Sequence, residues 1–347
     1  MPMPHAIAPA NGTDGPRVAV VILNWRRPDD TMTCLRSVLD QDYSPVDLFV
    51  CDNASGDGSI DRLEAAITAE LAARGGDRWR LARIDDPDGA LPPLPAAHEP
   101  RRLWLVATGR NGGYAYGNNV GLALALRDPA IAYLWVLNND TQVDAQALRR
   151  LVARMEEDPS IGLCGAVVRY RGAAGGGRIQ AVGGGHFLAD RGRCEQIGEN
   201  WPADTAIDTA AIEARLSYVN GAAVLARRTM IDRIGLMTED HFLYWEEMDW
   251  ATRMARDGRY RPGLAAGALV FHDVGASTGS NDHGFASPSS TFWMTRSRLR
   301  FLARYHPRLV PLVLMLIARA ALREVAGRRW ERAGAMVRGA WAARRAL

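Results

Sequence analysis

The stretch Leu243-Tyr244-Trp245-Glu246-Glu247-Met248-Asp249-Trp250 sets three carboxylates among three large aromatic rings. Burial beside such rings raises a carboxyl pKa toward the range in which a general base works. A helix starting at 246 separates the three acids by phase, at about 100° per residue. Met248, Ala251, Met254 and Ala255 form an apolar stripe with Glu247 at its edge. Glu246, Asp249, Arg253 and Asp257 take the polar side, where Asp249 and Arg253 are spaced for a surface ion pair. Negative charge at a helix N-terminus is a simpler account of all three acids. Glu247 is the one the phase singles out for part-burial.

Further polar residues gather at the ends of apolar runs: Asn24, Asp52-Asn53, Arg110-Asn111-Gly112-Gly113, Asn138-Asn139-Asp140 and His272-Asp273. Each alone is an ordinary turn former. Together they matter because an open α/β sheet binds ligands beyond the carboxyl ends of its strands. The set suits a nucleoside diphosphate. Asp52 could accept from a base N–H or a ribose hydroxyl. Asp140 and His272 could share a divalent cation, Mg2+ or Mn2+, which takes few protein ligands and completes its shell with phosphate oxygens. No GxGxxG opens a helix and no GxxxxGK[ST] occurs, which argues against a dinucleotide site or a P-loop.

The elements that must position these residues alternate. RVAVVILNW (17–25), VDLFVCDN (46–53), RLWLVAT (102–108) and IAYLWVLNND (131–140) read as buried strands. Segments 29–41, 59–76, 118–127 and 145–158 have helical spacing. This rhythm predicts an α/β fold with a mainly parallel sheet. Residues 1–16 are expected to be disordered, and 85–101 to form a Pro-rich surface loop. Residues 171–205 read as loop or irregular sheet, 217–228 and 267–273 as strands, and 246–258 as a helix closed by Gly258. No internal repeat is present.

At 48% hydrophobic and 23% charged, the chain of 347 residues has the composition of a soluble globular protein. All 42 basic residues are arginine. The net charge of +3 conceals a basic end: residues 296–347 hold 13 Arg against two Glu. The four cysteines have no CxxC or metal-ligand spacing, so free thiols in a reducing cytoplasm are expected. The N-terminus lacks the pattern of a signal peptide. The apolar run Leu309–Ala318 is too short to cross a bilayer.

The segments VAVVILNW, FVCDNASGDGS, GRNGGYAYGNNVG, LWVLNND, YVNGAAVLARR, FLYWEEMDWATRMARDG and VFHDVGAS resemble, in order, those of the inverting GT-A glycosyltransferases of family 2, in the rhamnosyltransferase-like branch. The resemblance covers roughly residues 17–305. It implies a GT-A (nucleotide-diphospho-sugar transferase) fold: a mainly parallel sheet flanked by helices, with a helical C-terminal extension. Residues 17–290 would be the catalytic domain, with 17–140 as the nucleotide-binding half and 141–290 as the acceptor-side half; 291–347 would be the basic extension. It implies donor contacts at Asn24, Asp52, Asn111, Asn118, Asn138, Asn139 and Asp140. Asn138-Asn139-Asp140 stands at the DxD-like position, and Asp140 with His272 would hold the metal. It implies Glu247 as catalytic base, where the family usually has Asp, with Trp245, Glu246, Trp250 and Asn220 on the acceptor side; Glu is longer by one C–C bond, roughly 1.5 Å. The implied donor is a dTDP- or UDP-sugar, rhamnose being one candidate. The implied acceptor is a glycan or a lipid-linked glycan in cell-surface polysaccharide synthesis.

TRSRLRFLARYHP (295–307) also resembles the segment after the catalytic domain in that family. Beyond it, Trp330, Ala333, Val337 and Trp341 fall on one helical face with Arg328 and Arg332 opposite, as in a basic amphipathic helix lying on a membrane surface. An Arg-rich helix packed on the domain, or a homodimer contact, fits the same pattern. Nucleic acid is disfavoured, because the basic residues are confined to the tail and no binding motif is present. The expected location is cytoplasmic, or peripheral at the inner face of the plasma membrane. A processive synthase is disfavoured because Ala326 stands where QxxRW would need Gln. A sugar nucleotidyltransferase and an inactive nucleotide-sugar-binding homologue are the other readings.

Overall fold

Every residue of β1 (Arg17–Asn24) after Arg17 is buried, because the strand lies in the middle of the sheet with a layer of helices on each face. The computed structural model describes residues 15–75, 79–89, 101–171, 177–273 and 287–344. The expected disorder at 1–16 falls almost wholly outside them, as does most of the Pro-rich loop. After β1 come α1 (Pro28–Leu39), β2 (Val46–Asp52), α2 (Ser59–Ala73), β3 (Trp79–Ile84), β4 (Arg101–Ala107), α3 (Tyr114–Leu126) and β5 (Ile131–Asn138). These strands pair in parallel in the order β5-β1-β2-β4-β3. Their carboxyl ends therefore lie on one edge, as the strand and helix alternation predicts. The strand β3 is an addition. Its apolar residues are interrupted by Arg80 and Arg83, and it pairs with β4 at the margin of the sheet.

The next part of the chain runs β6 (Thr141–Val143), α4 (Ala147–Glu157), β7 (Ile161–Tyr170), β8 (Ile179–Val182), β9 (Gly184–Leu188), β10 (Arg193–Gln196), α5 (Thr209–Glu213), β11 (Tyr218–Val219), β12 (Ala223–Arg227), α6 (Arg228–Ile234), α7 (Glu246–Asp257) and β13 (Arg261–His272). Here β12 inserts antiparallel between β5 and β7, and β7 to β10 continue antiparallel. The predicted strand 217–228 is thus two strands, divided by a turn at Asn220–Ala222. The strand β13 is longer than its predicted apolar end. It runs parallel to β7, shifts register between Ala265 and Leu269, and pairs its last residues with β6. That pairing sets His272 opposite Thr141, beside Asp140.

The chain closes with α8 (Pro288–Tyr305), α9 (Val310–Ala326) and α10 (Trp330–Ala343). Phe301 of α8 packs on Trp245, Phe187 and Tyr305, with ring centroids 5.1, 5.8 and 4.9 Å away. Among the described residues no helix is long and apolar enough to cross a membrane. The four cysteines are free. Burial pushes the thiols of Cys34, Cys51 and Cys164 up to about 12.

Candidate active site

The carboxyl ends of β1, β2 and β5 meet in a hydrogen-bonded network that fixes one acid. Asp52 is buried; its Oδ1 accepts from Asn24 Nδ2 at 2.7 Å and from Ser55 Oγ at 2.6 Å. Its Oδ2 accepts from the Ser55 amide at 3.0 Å. A carboxylate offers about four lone-pair sites, so Oδ2 keeps acceptor capacity for a ligand while Asn24 and Ser55 hold the group still. Two sequence expectations change here. Asn24 is fully buried, with Oδ1 accepting from Thr31 Oγ1 at 2.8 Å and Nδ2 committed to Asp52. It orients Asp52 and has no side-chain atom left for a donor. Asn139 turns back to α1, donating Nδ2 to Thr31 Oγ1 at 3.0 Å. It ties the end of β5 to the helix layer.

The other asparagines divide by their partners. Asn111 is exposed, and its Oδ1 accepts from Asn53 Nδ2 and the Gly113 amide, both at 3.1 Å. This bonding shapes the turn into α3. Gly113, at φ 91°, is required there: a Cβ would come 2.1 Å from the Phe242 carbonyl oxygen. The Tyr114 amide donates to that same oxygen at 2.8 Å, so the start of α3 is clasped to the loop before α7. Asn118 donates to the Tyr114 carbonyl at 3.0 Å, and its Oδ1 is buried without a partner. Asn138 Oδ1 and Asp140 Oδ1 are in the same state. Buried polar atoms are nearly always bonded in native structures, and unpaired ones call for a specific account.

Asp140 and His272 meet as expected. His272 Nε2 lies 3.1 Å from Asp140 Oδ1, both largely buried, yet no hydrogen bond joins them. His272 Nδ1 is 2.9 Å from Gln180 Oε1. With Nδ1–H donating to Gln180, the Nε2 lone pair is free to ligate. An unbonded carboxylate oxygen and an imidazole lone pair side by side suit a divalent cation that takes its remaining ligands from phosphate and water. Among the described residues no group of three or more His, Cys, Asp or Glu could hold a metal by protein ligands alone.

At the start of α7 the helical-phase reading fails for two acids. Tyr244 and Trp245 both adopt left-handed backbone, φ 69° and 76°, and turn the chain sharply into the helix. Asp249 is fully buried, not on a solvated side. It accepts from Arg253 Nε and Tyr305 Oη, each at 2.8 Å, so the expected surface pair is a buried one that joins α7 to α8. Glu246 is also buried, with Oε2 unpartnered. Burial, and then the Glu247 charge, raise its carboxyl well above the ordinary range. Glu247 is half-buried, against Gly221, and burial raises its pKa too. The phase argument assumed that α8 was absent; once α8 packs on α7, the outer side becomes an inner one.

The tryptophans are corrected as well. Trp250 is buried and donates Nε1 to the Gly235 carbonyl at 2.9 Å. Trp245 is buried against Phe301 and Met294. Both are core residues rather than an open acceptor wall. Asn220 is buried in the turn after β11, its Oδ1 accepting from the Ala222 amide at 2.9 Å.

Tyr114 links the two sides and was missed in the sequence. Its hydroxyl donates to the Gly221 carbonyl at 2.8 Å, the turn against which Glu247 packs. Burial, and then the charges of Glu246, Glu247 and Asp140, push its phenol well above its usual value. All three acids are therefore within electrostatic reach of one ring. A separate cavity of about 660 Å3, lined by residues including Gln146, Arg150, Arg169 and Asp204, contains none of these groups. Arg169 Nε is unpartnered at that cavity, but the strand-end cluster brings together three such atoms, Asn118 Oδ1, Asn138 Oδ1 and Asp140 Oδ1, and we favour it as the site.

Residues 61–216 match the family model described as Glycosyl transferase family 2. No curated protein sequence matches the chain. Similar solved structures include the mannosyltransferase PcManGT from Pyrobaculum calidifontis in complex with GDP-Man and Mn2+. It is 16% identical, with a TM-score of 0.49 over 98% of this chain and 90% of that one. TarS of S. aureus is 11% identical, with a TM-score of 0.48 over 83% of this chain and 39% of that one. GalNAc-T7 with UDP, GalNAc and Mn2+ is 12% identical, with a TM-score of 0.53 over 84% of this chain and 48% of that one. The fold is that of the GT-A glycosyltransferases. The family match supports family 2 and, with the GT-A fold, a glycosyltransferase activity. Ser55, Thr31, Tyr114 and Gln180 join the strand-end cluster as residues that the sequence alone did not single out. NASGDGS drew attention to its acids and glycines, while RIQAV carries no signal for Gln180.

Proposed function

We propose that the chain transfers a sugar from a nucleoside-diphosphate sugar to an acceptor hydroxyl with inversion at the anomeric carbon. The observation that carries this reading is that the charges of Asp140, which has His272 beside it, and of Glu247 both reach the Tyr114 ring. Asp140 and His272 suit a diphosphate-bound cation, and Glu247, with its raised pKa, the role of a base. Asp52, held by Asn24 and Ser55, receives the base or ribose. Asn118 and Asn138 offer unpartnered acceptors near the same edge. Asp140 and His272 would hold Mg2+ or Mn2+; that cation would neutralise charge on the departing diphosphate. Glu247 removes the proton from the acceptor hydroxyl. The oxygen forms its bond to the anomeric carbon as the carbon–phosphate oxygen bond breaks, and the electron pair leaves with the nucleoside diphosphate.

The rhamnosyltransferase-like motifs make dTDP- and UDP-sugars the first donors to try, and GDP-sugars a comparison. A glycan or lipid-linked acceptor in cell-surface polysaccharide synthesis fits the same reading, as does a cytoplasmic location. GalNAc-T7, which shares the fold, was solved with UDP, GalNAc and Mn2+, in keeping with a metal-assisted donor site. The test is release of nucleoside diphosphate from a donor panel, with Mn2+, with Mg2+ and with a chelator. Metal-dependent release from one donor, abolished by Glu247→Gln while donor-induced thermal stabilisation persists, is the expected result. Stabilisation by a donor with no turnover under any acceptor or metal would instead indicate a binding homologue.

A further inference from the structure

The last two helices present large apolar side chains that no described residue covers. In α10, Ala333, Ala335, Gly339 and Ala343 face inward. Gly339 lies so close to α8 that a Cβ would come 2.6 Å from the Phe292 carbonyl oxygen. Ala333 therefore belongs to the packed face, and not with Trp330, Val337 and Trp341 as its phase suggested. Those three are 63%, 60% and 64% exposed. Their spacing of seven and four residues sets them in one stripe, the two indoles roughly 16 Å apart along the axis.

The helix α9 repeats the pattern. Of its 17 residues only Val313 and Ala321 are buried. Leu314, Met315 and Leu322 are exposed, Leu322 at 67%. Monomeric soluble proteins rarely leave so many large apolar side chains grouped in solvent.

Charge indicates what covers them. From Arg308 to Arg344 the chain has eight arginines and two glutamates. Arg308, Arg319, Arg323, Arg328, Arg338 and Arg344 are exposed and make no ion pair with any described residue. A second copy of this face would bring like charges together. An anionic lipid surface would accept both the arginines and the intervening indoles, which favour the headgroup boundary. With Arg319 and Arg323 inside α9, and no helix among the described residues suited to spanning, the helices would lie flat.

We propose that α9 and α10 form a two-helix platform that docks on an anionic bilayer. Docking does not depend on the proposed glycosyl transfer. Its use does: Ser297 Oγ donates to the Leu243 carbonyl at 2.9 Å, and Phe301 packs on Trp245. The platform is thus fixed through α8 to the turn that opens α7, on the side where Glu247 would receive a lipid-held acceptor.

The test is co-sedimentation of the full chain with vesicles, without donor or acceptor, so that its failure says nothing about transfer. Vesicles of phosphatidylcholine with phosphatidylglycerol should pull the protein down, phosphatidylcholine alone much less, and salt should weaken the binding. Trp330→Ser with Trp341→Ser should lower the partition coefficient roughly tenfold or more, and Arg338→Gln with Arg344→Gln should reduce the preference for phosphatidylglycerol by roughly tenfold or more. Unchanged thermal unfolding of the variants confirms that they fold. The proposal is overturned if mixed vesicles bind no protein at low salt, or if binding ignores the tryptophan pair. It is also overturned if vesicle binding is absent while sedimentation equilibrium finds self-association that the same pair abolishes.

Discussion

His272 Nε2 stands 3.1 Å from Asp140 Oδ1 without a hydrogen bond between them, while Gln180 engages the other ring nitrogen. A histidine so held keeps its ligating lone pair aimed beside the carboxylate. Asp140→Asn and His272→Ala should each abolish metal-dependent donor turnover. Gln180→Ala removes neither proposed ligand but frees the His272 ring that Gln180 orients, and should raise the Mn2+ concentration for half-maximal turnover by roughly 10–100-fold. A metal titration of donor-induced thermal stabilisation checks all three without relying on turnover. Equal metal dependence in wild type and Gln180→Ala would remove the orienting role.

Glu246 and Glu247 are adjacent and both have raised pKa values, but their burial differs. Glu246 is closed off, and the Glu247 charge adds to the desolvation that favours its protonated form. Glu246→Gln therefore mimics its neutral state and should keep most of the turnover. Glu247→Gln should cost roughly 10²–10⁴-fold in kcat. Because a base must be deprotonated and burial raises the Glu247 pKa, the acidic limb of the kcat/KM profile should lie above the usual carboxylate range. Profiles for the wild type and both variants decide this, and a large loss in Glu246→Gln would reverse the assignment.

How much of this was legible depended on whether the cause was local. The parallel half was readable because RVAVVILN and VDLFVCD are continuous apolar runs, which only a strand covered on both faces needs. The strand-end residues followed from that. Asp140 and His272 were readable as types, but their meeting depends on β13 pairing with β6, which no local pattern encodes. The phase of α7 misled because helical periodicity shows two sides and not what packs on each. Asp249 was assigned to water when the partner of that side was Tyr305, 56 residues later. Asn24 and Asn139 were misread for a related reason: asparagine at a strand end looks the same whether it faces a ligand or braces a neighbour.

Asp249 bonds Arg253 and Tyr305 with no exposure of its own. Removing a carboxylate from such a site leaves a guanidinium and a hydroxyl without their partner. Asp249→Ala should destabilise the protein by about 3 kcal/mol or more, against about 1 kcal/mol for Tyr305→Phe. Urea unfolding measures both. If the two variants were equally mild, the triad would not be what fastens α7 to α8.

His241 supplies a pH dependence that is independent of catalysis. It is 2% exposed, and burial lowers its pKa to about 4, with Asp249 and Asp240 opposing the shift and Arg300 and Arg296 adding to it. In the unfolded chain the same ring titrates near 6.5. Between those values the unfolded state binds the proton and the folded state does not, so stability falls as pH drops through this window. The contribution is fully present above about 6.5 and amounts to as much as roughly 3 kcal/mol. Replacing the ring with one that cannot titrate, His241→Phe, should flatten the fall in unfolding free energy between pH 6.5 and 4 relative to wild type. Carboxylates held low, such as Asp158 at about 2, leave their own loss at more acidic pH in both proteins. Parallel stability curves for the two proteins across that window would show that the imidazole is protonated in the folded chain.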